Sequence, residues 1–352
     1  MAQLAALLQH PRERGAIAAN NRVTVAVEGR ELSLSNLDKV LYPEAGFTKA
    51  QVVDYHSRIA PVLVPHLHDR PLTLKRYPNG VDGEAFYEKN CPSHRPPWFQ
   101  TARVWSGQNN RYQDYCLVQD LPSLVWVANL ASLELHTSLS RAPDLETPTA
   151  LVFDLDPGPP ADIVLCCQVA LWLREELEGH KLQVVAKTSG SKGMQLYVPL
   201  NTPVNYEATK GSALALGQRL ERAHPGSVVC TMEKAVRGGK VFIDWSQNDQ
   251  HKTTVNVYSL RARPRPTVST PLTWDEVEQC AREKDGRKVV FEAPQVLERV
   301  ERLGDLFEPL VSLKQRLPKA LLEEAAAAPI PRADPVARRA AWARRREHDK
   351  HA

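Results

Sequence analysis

Hydrophobic and polar positions follow two different periods along this chain, and each switch marks an element boundary. Arg22 to Leu34 contains VTVAVEGRELSL, a period of two broken at Glu28-Gly29, which predicts a β-hairpin. Ser35-Asn36 then predicts the cap of a short helix around Asp38 to Leu41. Thr48 predicts the cap of a second helix from Lys49 to about Leu63, with Val52, Val53, Ile59, Val62 and Leu63 on one stripe and Pro65 as its stop. Arg70 to Lys89 returns to strand spacing, folded at Pro78-Asn79-Gly80 before Phe86-Tyr87. Arg103 to Val118 is irregular and hairpin-rich. Leu121 to Leu135 carries apolar residues at helical spacing and predicts a helix terminated by His136.

The second half opens with LVFDLDPG at Leu151–Gly158, an apolar run closed by Pro-Gly, which predicts a buried strand. An amphipathic helix is predicted from Ala161 to Leu177, strands at Gln183–Ala186 and Met194–Leu200, a helix at Tyr206–His224 and a strand at Lys240–Trp245. Trp274 to Val300 reads as helical and peripheral. Residues 1–20 form a short lead-in, and Leu321 to Ala352, with Arg338-Arg339 and Arg344-Arg345-Arg346, a weakly packed basic tail.

Composition changes this picture in three ways. A chain of 352 residues that is 43% hydrophobic supports two domains or one bilobal domain. Six scattered cysteines with no CxxC pair point to reduced thiols in a cytoplasmic protein, and Cys91 with His94 lacks the second half of a zinc site. No signal peptide or long apolar run is present, so no membrane role is expected. The net charge of +4 is modest; its distribution matters more, because an acidic centre is rimmed by Lys and Arg.

That acidic centre is the candidate chemistry. Asp154 and Asp156 project from one face of their strand, and two adjacent carboxylates repel unless a cation joins them. Carboxylate oxygens suit Mg²⁺ or Mn²⁺. Asp244, at the end of KVFIDW, is a third candidate ligand. Thr188 to Gly193 is a small-residue loop whose backbone N–H groups and Lys192 together suit a phosphate. Lys75 and Arg76 interleave with Phe86 and Tyr87, as a platform for single-stranded nucleic acid requires.

Taken together, these motifs resemble the archaeo-eukaryotic primase superfamily, above all the polymerase domain of bacterial ligase D and its stand-alone primase-polymerase relatives. The resemblance runs from about Leu32 to Trp274. It rests on DKVLYP at Asp38–Pro43, KRYPNGVD with FYEK at Lys75–Lys89, ELH at Glu134–His136, VFDLDPG at Val152–Gly158, SGSKG at Ser189–Gly193, and KVFIDWSQN with KTT and YSLR at Lys240–Arg261. It implies that Asp154, Asp156 and Asp244 hold two divalent metal ions, Mn²⁺ or Mg²⁺. It implies nucleotide contacts from Lys75, His136, Ser191, Lys192, Gln195, Lys252 and Arg261. Phe86, Tyr87 and Arg76 fall where the family binds template DNA, and Lys39 and Lys49 where it binds a downstream 5′-phosphate. The family commonly has His where this chain has Gln195, which cannot become cationic.

The expected fold is α+β: an RRM-like antiparallel catalytic sheet packed against an N-terminal α/β lobe. The expected division is an N-terminal extension (1–31), a catalytic domain (32–316, lobes about 32–145 and 146–316) and a basic Ala/Arg-rich tail (317–352). The expected function is template-directed polymerisation of NTPs and dNTPs at gapped, nicked or broken DNA with a downstream 5′-phosphate. In-line attack by the primer hydroxyl would use two metals ~3.5–4 Å apart. With no ligase or phosphoesterase module in the chain, a stand-alone monomer in the cytoplasm of a bacterium, at the nucleoid, is expected, with a separate ATP-dependent DNA ligase as partner. A metal-dependent nuclease could use the same carboxylates but needs no Lys192–Lys252–Arg261 cluster. A non-catalytic DNA-end-binding module would not need three positioned aspartates.

Overall fold

Arg22–Val27 (β1) and Arg30–Ser35 (β2) form the expected hairpin, with Glu28 and Gly29 at φ 48° and 78°, the paired positive values a two-residue turn demands. The computed structural model describes residues 22–106 and 110–327. Val25, Val27, Leu32 and Leu34 are buried in the core, so the packed fold begins ahead of Leu32. The short helix expected at Asp38–Leu41 is instead a turn followed by Val40–Tyr42 (β3), which pairs with Phe47–Thr48 (β4). Thr48 caps Lys49–Leu67 (α1) through a capping box with Gln51. Pro61 and Pro65 lie inside this helix, which runs past the expected stop near Leu63. Its buried face, from Val52 to Leu63, supplies the packing that holds the last turn.

Leu72–Arg76 (β5), Phe86–Glu88 (β6), Thr101–Ser106 (β7) and Arg111–Cys116 (β8) follow. Next come Leu121–Asn129 (α2) and Ser132–Thr137 (β9). The helix expected to reach Leu135 therefore ends early: Ala131 takes φ 55° and the chain leaves as a strand. His136 sits in mid-strand rather than at a helix end. The first sheet has the order β15-β9-β5-β8-β7, with β6 paired to β5; β15 (Thr254–Val255) arrives from much later in the chain.

Ala150–Pro157 (β10), Ile163–Gly179 (α3), Val185–Thr188 (β11), Met194–Pro199 (β12) and Tyr206–Ala223 (α4) build the second sheet with Val228–Val229 (β13), Val241–Asp244 (β14) and Pro271–Leu272 (β16). The order is β13-β14-β10-β12-β11-β16, antiparallel except where β13 meets β14. Leu151, Phe153 and Leu155 face the buried layer beneath it, alternating with Asp154 and Asp156 on the opposite face.

Trp274–Glu283 (α5) and Ala293–Leu303 (α6) bury Val277, Cys280, Val296 and Leu297, so this helical region is part of the core. Pro309–Ser312 (α7) precedes Lys319–Ala327 (α8), which packs on α4 through Leu321 and Ala325. This part of the expected tail is thus a helix anchored by two buried residues; residues 328–352, with the Arg clusters, lie outside the described residues, as does the lead-in 1–20. Cys91 and Cys116 form a disulfide with a Cα–Cα distance of 5.0 Å, against the expectation of reduced thiols throughout. Hydrogen bonds between Cys91 and Asp114 and between Asn90 and Asp114 bring the two segments together. The other four cysteines are free and buried. Among the described residues no helix is long and apolar enough to cross a membrane.

Candidate active site

The carboxylates meet because of strand register. Asp154 on β10 lies directly opposite Asp244 on β14, and Asp156 follows two residues on along the same face. Loss of hydration, then the Asp156 and Asp244 charges, push the Asp154 carboxyl up to about 7. Hydrogen bonds offset part of this repulsion. Gln195 Nε2 donates to Asp154 Oδ1 at 3.0 Å, and Gln247 Nε2 reaches Asp154 Oδ2 at 3.3 Å and Asp244 Oδ2 at 3.4 Å. The Ser246 N–H donates to Asp244 Oδ1 at 3.0 Å, and Lys252 Nζ lies 3.8 Å from Asp244 Oδ2 while donating to Ser246 Oγ.

No three His, Cys, Asp or Glu side chains among the described residues converge as they stand on a single ion, and the Asp154 and Asp244 oxygens are engaged by Gln and Ser donors. The donor set still fits divalent cations: three carboxylates on one face offer hard oxygen ligands, and a cation would relieve the repulsion that raises Asp154.

Beside β10, the Ser189–Gly193 loop is drawn inward. The Ser191 and Gly193 N–H groups both donate to Ser189 Oγ at 3.2 Å, so the expected open cradle of backbone donors is internally engaged there. Gly193 is obligatory, since a Cβ would lie 2.2 Å from Leu155 O. Lys192 stands exposed at the tip. Gln195 departs from its expected part as a triphosphate contact: it is buried, and its Oε1 accepts from Lys187 Nζ at 2.6 Å while its amide nitrogen serves Asp154.

Arg261 links this loop to the first sheet. It donates to Ser189 O, and its Nε lies 3.4 Å from Glu134 Oε1. Glu134 is 3% exposed and also faces His136 Nε2 at 3.0 Å and Lys75 Nζ at 3.8 Å. Burial alone would raise its carboxyl; the His136 hydrogen bond and the Arg261, His136 and Lys75 charges win and hold it at about 2. Burial keeps His136 below its ordinary value despite Glu134, so Nε2–H donates and Nδ1 remains an acceptor. Lys75 also lies over the Tyr87 ring at 5.2 Å, and Arg76 over Phe86 at 5.1 Å. Phe86 and Tyr87 are 42% and 61% exposed, an open aromatic surface rather than core.

Arg76 is tied into its surroundings rather than projecting freely from β5. It donates to Glu88 Oε2 at 2.7 Å and Leu130 O at 2.9 Å, and lines a groove of about 470 Å³ with Lys39, Lys49, His94 and Trp126. Lys49 is 5% exposed, and burial, followed by the Lys39 and Arg76 charges, lowers it to about 8. The start of α1 does not add the donors expected of it: Lys49 N–H bonds Lys39 O, Ala50 N–H bonds Leu37 O, and Gln51 N–H bonds Thr48. Arg22, Lys39, Lys49 and Arg76 supply the positive charge of this groove, whose wall also includes Glu31, Ser35, Asn36 and Asn129. The residues that sequence reasoning left out of the site, Glu134, Lys187, Ser189, Ser246 and Gln247, all lie inside the motifs themselves or next to them; alternation along strands is the signal that could have found Glu134 and Lys187.

The family model described as LigD, primase-polymerase domain, matches residues 48–307. The multifunctional non-homologous end joining protein LigD of Mycolicibacterium smegmatis is 43% identical over 279 residues, which cover 79% of this chain and 36% of that protein. The bifunctional non-homologous end joining protein LigD of Bacillus subtilis is 28% identical over 301 residues, 82% of this chain and 47% of that one. The chain thus spans less than half the length of these relatives. The polymerase domain of Mycobacterium tuberculosis ligase D, solved in complex with DNA, is 40% identical and superposes with a TM-score of 0.75 over 81% of this chain and 99% of that one. The matched span takes in β10, β14, the Ser189–Gly193 loop and the aromatic strand β6, and the chain belongs to the LigD primase-polymerase domain family.

Proposed function

We propose that this chain is a template-directed nucleotidyltransferase that fills short gaps and broken ends in DNA, using NTPs as well as dNTPs. The observation that carries the reading is the pairing of Asp154 with Asp244 across β10 and β14, with Asp156 beside them and Lys252 Nζ 3.8 Å from Asp244 Oδ2. Asp154, Asp156 and Asp244 would hold two divalent ions, Mg²⁺ or Mn²⁺, whose chemistry when bound is to acidify a primer hydroxyl and offset phosphate charge.

The chain's own residues supply the rest. Lys192 and Lys252 carry charge to a triphosphate, with Arg261 and Ser191 at the same loop. His136 offers an acceptor to a hydroxyl of the incoming nucleotide, beside Lys75. Phe86 and Tyr87 give flat faces for a template base, and Arg76 backs Phe86. Lys39, Lys49 and Arg76 give the groove a charge that suits a terminal 5′-phosphate, which carries about one more charge than an internal phosphate. Relatives named for non-homologous end joining support broken DNA ends as substrates. A nuclease would have no use for the Lys192–Lys252–Arg261 side of the site.

The experiment is extension of a labelled primer across a 5′-phosphorylated gap with each NTP and dNTP, in Mg²⁺ or Mn²⁺. Asp154→Ala, Asp156→Ala and Asp244→Ala should each abolish addition while gap binding, measured by fluorescence anisotropy, persists. Wild-type extension by any of the three would refute the assignment.

A further inference from the structure

Lys187 is wholly buried, donates to Gln195, and stands on the same rung of the sheet as Asp154 and Asp244. Pairing across four strands sets Lys187 opposite Gln195, Gln195 opposite Asp154, and Asp154 opposite Asp244. Lys187 Nζ lies 2.6 Å from Gln195 Oε1 and 2.7 Å from Ser269 Oγ. Ser269 spends its own hydroxyl hydrogen on Thr188 O at 2.9 Å, so toward Lys187 it can only accept. Lys187 therefore donates in both directions, and an ammonium and a neutral amine each have the hydrogens to do so. Tyr197 Oη, 3.2 Å from Gln195 Oε1, adds a second hydroxyl on that side.

These contacts decide which way an otherwise symmetric amide faces. With Oε1 held by Lys187, the amide nitrogen of Gln195 is aimed at Asp154 Oδ1, 3.0 Å away. Reversal would set two acceptors against each other at Asp154 and two donors at Lys187. We propose that Lys187 is a positioning residue of the catalytic centre: acting through Gln195, it orients the Asp154 carboxylate for its divalent cation. This rests on the reading of Asp154 as a metal ligand. It also explains the departure at position 195: an amide, like a neutral imidazole, offers one donor and one acceptor and can fill this place between Lys187 and Asp154.

The test uses Lys187→Met, which removes the donors and keeps an unbranched side chain, with Gln195→Met and the double variant. Mn²⁺ affinity is read from the electron paramagnetic resonance signal of free Mn²⁺, kcat and KM from gap extension, and DNA affinity from anisotropy. Each single variant should weaken Mn²⁺ binding and lower kcat by about tenfold or more, the range for groups that orient metal ligands. DNA affinity and nucleotide KM should stay near wild type, and the double variant should be no worse than Gln195→Met. Gln195→Glu keeps an acceptor for Lys187 but turns an acceptor on Asp154; it should show the same losses, and it carries the test should Lys187→Met not fold. Wild-type Mn²⁺ affinity and kcat in Lys187→Met or Gln195→Glu, or losses that multiply in the double variant, would overturn the inference. Asp154→Ala separates the two levels: if it extends primers normally, the proposed metal site itself fails; if it is inactive while Lys187→Met and Gln195→Glu behave as wild type, only the role of Lys187 fails.

Discussion

Glu134 gathers His136, Lys75 and Arg261 around one buried carboxylate and accepts the Ala262 N–H at 3.1 Å, so its charge ties the first sheet to the Arg261 segment. Its folded value of about 2 lies below the ordinary 4.5, so the stability it contributes is fully present above pH ~4.5 and is lost as pH falls toward 2. Glu134→Gln should cost up to about 3 kcal/mol near pH 7, and the gap from wild type in urea melts should narrow below pH ~4.5. A constant gap from pH 7 to 3.5 would show that packing, not charge, is the source. Arg261 and Lys252 belong to the same scale. Arg261→Ala or Lys252→Ala should chiefly raise KM for the incoming nucleotide and lower kcat less, as steady-state extension would show. The tripeptide Glu134-Leu135-His136 was legible as a motif; Glu134's place as a hub was not, because reading the segment as helix sends the two polar side chains in different directions, whereas a strand puts them on one face.

Among the elements, α1 runs past its expected stop and α8 is a packed helix where a weakly packed tail was expected. The first turn of α1 is satisfied by the chain before it, so an anion in the groove would be met by side chains, with Arg22, Lys39, Lys49 and Arg76 as its cations. Lys49 is lowered to about 8 in the free protein, so above that pH it loses its proton, and binding a phosphate there must restore it. Affinity for 5′-phosphorylated gaps should therefore fall as pH rises past ~8, by at most about tenfold per unit, and Lys49→Met should remove this dependence. Lys39→Ala with Lys49→Ala should weaken binding to 5′-phosphate ends and spare 5′-hydroxyl ends; anisotropy at fixed salt with both DNAs checks this, and equal loss on both would leave only general backbone attraction. For α8, Leu321 has no solvent exposure against α4. Leu321→Ala should cost about 2–5 kcal/mol in denaturant melts; the Ala-rich, Arg-flanked composition hid this, since small residues such as Ala325 and Gly211 pack closely without an obvious apolar stripe.

At the scale of the whole molecule, the two sheets are joined by chain that crosses back. After β14 the backbone returns to pair β15 with β9, and Val257, Tyr258 and Leu260 enter the core around α1. Tyr55 Oη donates to Tyr258 O at 2.8 Å, and Tyr258 Oη to Asp305 Oδ1 at 2.7 Å, while Asp305 also faces His66 at 2.8 Å. The first sheet is incomplete without β15, a strand from the second half of the chain. Hydrogen exchange should accordingly give the amides of β5 and β9 the same opening free energy as those of β10 and β14, and Tyr258→Ala should lower both together. Independent opening of one sheet would contradict this shared core.

What the sequence determined alone was local. The Glu28-Gly29 turn, the Thr48 cap and the alternation that puts Asp154 and Asp156 on one face follow from backbone sterics and side-chain period, which depend on neighbours a few residues away. The motif order was enough to recognise the family. The tertiary structure decided which distant groups meet: Asp244 opposite Asp154, Gln195 between Asp154 and Lys187, Lys49 buried beside Arg76, and Cys91 joined to Cys116. Strand register sets the first two pairings, because a shift of one residue would turn those side chains to the other face of the sheet, while packing between distant segments sets the last two; both are properties of the assembled molecule.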